Sequence, residues 1–124
     1  MVRISVILPI RNDNPEFLKV AVESLLNQTF ADFEILIIDD GDNEENQELL
    51  KSYNDLRIKI IKGDKRGLPA ALNKGINLSN SEYIARMDAD DISYPERFEK
   101  QVEFLDNHPE VSILGTNIET FPKV

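Results

Sequence analysis

Residues 33–42 read FEILIIDDGD, a short apolar run that stops abruptly at two aspartates and a glycine. A run of this length, apolar on both faces and rich in β-branched side chains, suits a strand buried on both sides of a parallel sheet. The stretch Arg3 to Pro9 (RISVILP) has the same character and is closed by Pro9. Between the two, Asn14 and Pro15 supply an N-cap and a first-turn proline. Phe17, Val20, Ala21 and Leu25 then recur at helical spacing to about Thr29.

The same unit recurs downstream. A more exposed helix is expected near Asn46 to Tyr53, and a third, less apolar strand, nearer an edge, over Arg57 to Ile61. Leu68 to Leu78 places Leu68, Ala71, Leu72, Gly75 and Ile76 on one helical side. Tyr83 to Met87 reads as the fourth strand, Pro95 opens a helix with Phe98, Val102 and Leu105 facing inward, and Val111 to Leu114 reads as a fifth strand. Strands alternating with helices imply successive right-handed βαβ crossovers, so the fold class is α/β, a mostly parallel sheet flanked by helices.

Length and composition narrow the function classes. The 124 residues suit one domain. A net charge of -9 opposes non-specific attraction to nucleic acid or to an anionic membrane, so no nucleic-acid partner is expected. The chain has no cysteine, which excludes a disulfide framework or a thiolate site. No apolar run approaches the roughly 20 residues that span a bilayer. The expectation is a cytoplasmic chain without signal peptide or transmembrane segment, any membrane association being supplied by other parts of the protein.

Ligands of open α/β sheets bind beyond the carboxyl ends of the strands. The loops leaving the strands carry Arg11, Asn12 and Asp13; Asp39, Asp40 and Asp42; Lys62, Asp64, Lys65 and Arg66; and Asp88, Asp90 and Asp91. The last group is the strongest feature, three carboxylates within the tetrad DADD after a buried strand. Clustered like charges repel unless something offsets them, and a hard cation such as Mg²⁺ or Mn²⁺ takes oxygen ligands of this kind. In a chain with 23 acidic residues such a run also arises as a solvated loop or a helix cap. Asp39 and Asp40 suit an acceptor for a ribose hydroxyl or a base N–H, which would favour uracil, thymine or guanine; they equally suit an Asx-turn with Gly41. The loop Lys62 to Arg66 could hold diphosphate charge or simply turn around Gly63. His108, before Pro109, reads as a surface or capping residue, and no Ser-His-Asp or Cys-His set can be assembled. The chain lacks both the P-loop and the GxGxxG pattern.

Taken in order, ISVILPIRN, LLNQTFADFEILIIDDGD, GLPAALNKGINLSNSEYIARMDADD and YPERFEKQVEFLDNHPEV resemble the family 2 glycosyltransferases over nearly the whole chain. The resemblance implies the Rossmann-like nucleotide-binding half of a GT-A fold, with residues 1–124 forming the nucleotide-sugar-binding part and stopping before the acceptor-binding half. It implies a nucleoside-diphosphate sugar as donor, a glycan or lipid-linked acceptor, and Mg²⁺ or Mn²⁺ as cofactor. Asp88, Ala89 and Asp90 then correspond to the DxD motif, with Asp90 the direct metal ligand, Asp88 nearer the ribose and diphosphate and also within the metal set, and Asp91 supporting the loop. The acidic pair after the second strand would read the base, Asp40 ahead of Asp39, and Pro9 would line the base pocket. Arg11 stands where the family often has an aromatic residue, so stacking there would use a guanidinium plane. The implied reaction is inverting transfer of the sugar to an acceptor hydroxyl, with the general base outside these residues.

Two other classes share parts of the pattern. A signalling receiver domain would carry its acidic pair after the first strand, and a nucleotidyltransferase a glycine-rich basic loop there; this chain has Ile10 to Asn14 instead.

Overall fold

The computed structural model describes residues 2–115. Every strand runs the same way, and the elements alternate as β1 (Val2–Ile10), α1 (Pro15–Leu26), β2 (Phe33–Asp39), α2 (Glu44–Ser52), β3 (Ile58–Lys62), α3 (Leu68–Leu78), β4 (Ser81–Arg86) and α4 (Arg97–Asn107). The strand order is β3-β2-β1-β4. From β1 the chain therefore steps outward twice on one side, then crosses back to the other side of β1. That order differs from the 2-1-3-4-5 arrangement of receiver-type sheets and sets the receiver alternative aside.

The two central strands are continuous apolar runs because both their faces are covered. On one face Ile4, Val6, Leu8 and Ile10 of β1 and Phe33, Ile35 and Ile37 of β2 pack with Leu18, Ala21, Val22 and Leu25 of α1, Leu50 of α2, and Phe98 and Val102 of α4. On the other, Ile7, Leu36 and Ile38 meet Ala71 of α3. Each such fully buried aliphatic side chain contributes about 2 kcal/mol. Gly75 sits where α3 meets β1: a Cβ there would lie 2.7 Å from Ile7 Cγ2, so only glycine allows this approach. Helices α1 and α2 on one face and α3 on the other are what crossovers of one hand require when the chain reverses direction across the sheet.

Three expectations are corrected. The buried stripe of α1 is Leu18, Ala21, Val22 and Leu25, whereas Phe17 and Val20 lie on its exposed flank, and the helix stops at Leu26 rather than near Thr29. Helix α4 begins at Arg97, with Pro95 and Glu96 in the turn before it, and Leu105 is only half-buried. Val111 to Leu114 form no strand. The Val111 N–H is spent on the His108 carbonyl, Ile113 is 90% exposed, and the segment pairs with neither outer strand of the sheet, so its apolar composition alone does not make it one. His108 is a cap as expected: it ends α4, its Nδ1 lies 2.8 Å from the Phe104 carbonyl, and its ring stacks on Phe104.

Candidate functional site

Parallel pairing brings the carboxyl ends of all four strands to one edge. Ile10 pairs with Asp39 and Asp39 with Lys62, while Ile7 pairs with Arg86 on the other side. The strand order reverses between β1 and β4, and it is at such a reversal that doubly wound sheets open a crevice for ligand.

The acidic loop leaves β4 at this point. Met87 and Ala89 are buried and join the core, while Asp88 is exposed and Asp90 half-buried. That alternation is what turns the aspartates outward. The Met87 N–H continues the ladder to the Ile7 carbonyl, after which the chain turns back: the Asp91 N–H donates to the Asp88 carbonyl at 3.1 Å, and the Asp88 N–H points to Asp91 Oδ2 at 3.4 Å. One oxygen from each of Asp88, Asp90 and Asp91 lies within 4.8 Å of the others. Arg86 approaches Asp88 at 3.6 Å, an exposed pair that offsets little of the repulsion. The donor set is entirely carboxylate oxygen and open on its outer side, which fits a hard divalent cation that completes its shell with water and phosphate oxygens.

Behind this loop lie residues that the sequence did not single out. Arg97 donates to the Arg86 carbonyl, to Ser93 Oγ and to Gln101 Oε1. Ser93 Oγ faces Met87 Sδ at 3.3 Å, and its N–H donates to Ser24 Oγ on α1. Gln28, buried just beyond α1, donates to the Tyr94 carbonyl at 2.7 Å and accepts the Phe98 N–H at 3.1 Å. It thereby caps α4, whose own N-cap residue Glu96 makes no side-chain cap bond. The contacts of Ser24 and Gln28 with this segment span about seventy residues, and no local pattern announces them.

The two aspartates after β2 differ sharply. Asp40 is buried, its Oδ1 accepts the Lys65 N–H at 2.9 Å, and Gly63 packs directly onto its carboxylate. A Cβ on Gly63 would stand 1.8 Å from Asp40 Oδ1, so the loop after β3 is moulded on this side chain rather than simply turning in solvent. Asp39 is half-buried and gives Oδ1 to the Gly41 N–H, the Asx-turn foreseen for it. After β1, Asn12 adopts a left-handed conformation and accepts the Asp42 N–H, while Arg11 is exposed and its N–H is held by Asp13. The buried Asn46 of α2 donates to the Asp13 carbonyl at 2.8 Å and pins that loop from behind. Pro9 is half-buried, opposite Ile38. In the basic loop, Lys74 of α3 donates to the Lys62 carbonyl and pairs with Asp64, while Arg66 stays exposed.

Four parallel strands in this order, helices on both faces and an acidic loop at the reversal form a Rossmann-like α/β unit of the GT-A type. Residues 5–124 match the family described as "Glycosyl transferase family 2", and the chain belongs to that family, which sets aside the nucleotidyltransferase alternative. It is 37% identical over 115 residues to the uncharacterized glycosyltransferase MJ1057 of Methanocaldococcus jannaschii, covering 90% of this chain and 40% of that protein. The crystal structure of S. aureus TarS 1-349 in complex with UDP-GlcNAc superposes with a TM-score of 0.78 at 24% identity, over 98% of this chain and 37% of that one. The mannosyltransferase PcManGT from Pyrobaculum calidifontis, in complex with GDP-Man and Mn²⁺, does so with a TM-score of 0.74 at 19% identity, over 84% and 32%. The chain thus spans less than half the length of these proteins. Among the described residues no helix is long and apolar enough to cross a membrane.

Proposed function

We propose that this chain holds a nucleoside-diphosphate sugar, with Mg²⁺ or Mn²⁺, at the carboxyl edge of its sheet, for inverting transfer of the sugar to an acceptor hydroxyl. The observation that carries this reading is the triad of carboxylate oxygens within 4.8 Å at the point where the strand order reverses. Membership of the family supports it, as do neighbours of the same fold solved with UDP-GlcNAc and with GDP-Man and Mn²⁺.

In this reading Asp90 and Asp88 hold the cation, Asp88 also faces the ribose and diphosphate, and Asp91 keeps the loop turned through its bond to the Asp88 N–H. The bound cation supplies Lewis-acid screening of charge on the leaving diphosphate. The base contact passes from Asp40 to Asp39. Asp40 is buried under Gly63 and engaged by the Lys65 N–H, whereas Asp39 commits one oxygen to Gly41 and is the more accessible. Pro9 and Arg11 flank the base, Arg11 offering a guanidinium plane for stacking. During transfer an acceptor oxygen bonds to the anomeric carbon as the carbon–oxygen bond to the diphosphate breaks, and the hydroxyl proton passes to a base. We place that base, and the glycan or lipid-linked acceptor, in a further part of the catalytic unit, in keeping with the greater length of the relatives.

Calorimetry with UDP, GDP, dTDP, CDP and ADP, each with and without Mn²⁺, tests the reading. Binding of UDP, GDP or dTDP should strengthen with Mn²⁺, and Asp90→Ala should remove the strengthening. Asp39→Asn should weaken the preferred nucleotide roughly tenfold, the worth of one charged hydrogen bond. Binding that needs neither metal nor Asp90 sinks the proposal. ADP binding as well as UDP and GDP sinks the base assignment alone.

A further inference from the structure

The acidic loop has two ends, and one side chain holds both. Arg86 is the last residue of β4, and its carbonyl accepts from Arg97 at 3.2 Å. Ser93 lies past the last aspartate, and its Oγ accepts from another nitrogen of the same guanidinium at 3.0 Å. The third arm, Nε, reaches Gln101 Oε1 one turn further along α4 at 3.2 Å, which fixes the fork to its own helix. Everything that carries the three carboxylates, Met87 to Ile92, is strung between the two tethered points.

Electrostatics and geometry both favour arginine here. Burial pulls the guanidinium below its usual arginine pKa, and the charge of Asp91 opposes that pull, so the cation sits within reach of the cluster's field. Three carboxylates held together repel, and a positive charge on the inner side of the loop eases that without occupying the open outer side. Only a planar fork with several fixed donors can satisfy two separate acceptors and a third partner together; a lysine ammonium keeps the charge on a single nitrogen.

We propose that Arg97 is a positioning residue, clamping both ends of the acidic loop so that Asp88 and Asp90 are already arranged when the divalent cation arrives. This rests on reading the loop as the cation site. The variants that separate the two ideas are Arg97→Lys, which keeps the charge and loses the clamp, Ser93→Ala, which frees one end only, and Asp90→Ala.

The readout is the gain in UDP and GDP affinity on adding Mn²⁺, measured by calorimetry beside the thermal unfolding midpoint. We expect Arg97→Lys to reduce that gain roughly tenfold or more, the usual scale for losing a partner behind the metal ligands. Ser93→Ala should reduce it less. A residue that merely stabilised the fold would lower the midpoint and leave the gain as it was. If Asp90→Ala abolishes the gain while folded Arg97→Lys retains it in full, the clamp is wrong and the cation site stands. Should Arg97→Lys fail to fold, an undiminished gain in Ser93→Ala overturns the clamp instead. If the unaltered chain shows no gain, the cation reading fails and takes the clamp with it.

Discussion

The two edges of the sheet handle charge in opposite ways. At the amino edge several charges are joined in side-chain pairs. Arg3 of β1 bonds Asp106 at the end of α4 and Glu82 of β4, and Tyr83 donates to the same Asp106. Arg57 is paired with Asp55 and lies over the Phe33 ring. Glu34, buried near the start of β2, accepts from Ser5 at 2.6 Å and from Lys59 at 2.8 Å. At the carboxyl edge, Asp13, Asp39 and Asp40 lean on the backbone N–H groups of Arg11, Gly41 and Lys65, beside the exposed pairs Lys74–Asp64 and Arg86–Asp88. The described residues with left-handed backbone, Asn12, Lys65 and Gly67, all lie there too. One edge is tied mainly by side-chain pairs, while the other is shaped by its loops and carries the acidic cluster.

The contrast can be broken from either side. The largest effect belongs to Gly63→Ala, whose added methyl would press on the Asp40 carboxylate and force the loop after β3 away. It should cost about 2–3 kcal/mol in urea unfolding and weaken nucleotide binding as well. An unchanged affinity would show that the cradle serves the fold alone.

Glu34→Gln comes next, with about 1.5 kcal/mol lost and nucleotide affinity intact. Burial raises the Glu34 pKa, and the bonds from Lys59 and Ser5 outweigh it, so the folded value lies below the ordinary 4.5. A depressed carboxylate contributes stability at pH above its unfolded value and loses it as pH falls through the folded one. The gap between wild type and Glu34→Gln should therefore close in acid below the ordinary glutamate range and stay constant above it. The smallest effect is expected for Asp106→Asn. Arg3 and Tyr83 hold its carboxyl below the usual range, but the cluster is solvent-exposed, and exposed ion pairs contribute little. Its urea midpoint should fall within error of wild type, and a large shift would mean that this edge is more than a set of surface pairs.

Much of the frame was legible in the residues themselves. RISVILP and FEILII could be nothing but buried strands once helices alternated with them, and DADD after the fourth strand marked the edge where function lies. The errors came where composition had to stand for partners. Phe17 and Val20 share helical spacing with Ala21, but the sheet lies one step around the helix and takes Leu18 and Val22 instead. The run Val111 to Leu114 is apolar enough for a strand, yet it pairs with neither outer strand and leaves Ile113 exposed. The roles of Asp39 and Asp40 could not be separated in sequence, because Gly63, which covers one of them, is more than twenty residues away. Gln28 escaped for the same reason, since a cap supplied from another element has no local spacing; Arg97 has near neighbours for partners, but its bond to the Arg86 carbonyl is set by how the loop between them turns.

That borrowed cap also ties the two halves of the chain into one unit. Helix α4 has 11 residues and no side-chain N-cap of its own, too little to persist alone in water. Its first turn is completed by Gln28, just beyond α1, and α1 packs on β1 and β2. The segment bearing the three aspartates lies between β4 and α4, so its support depends on contacts supplied by the first half of the chain.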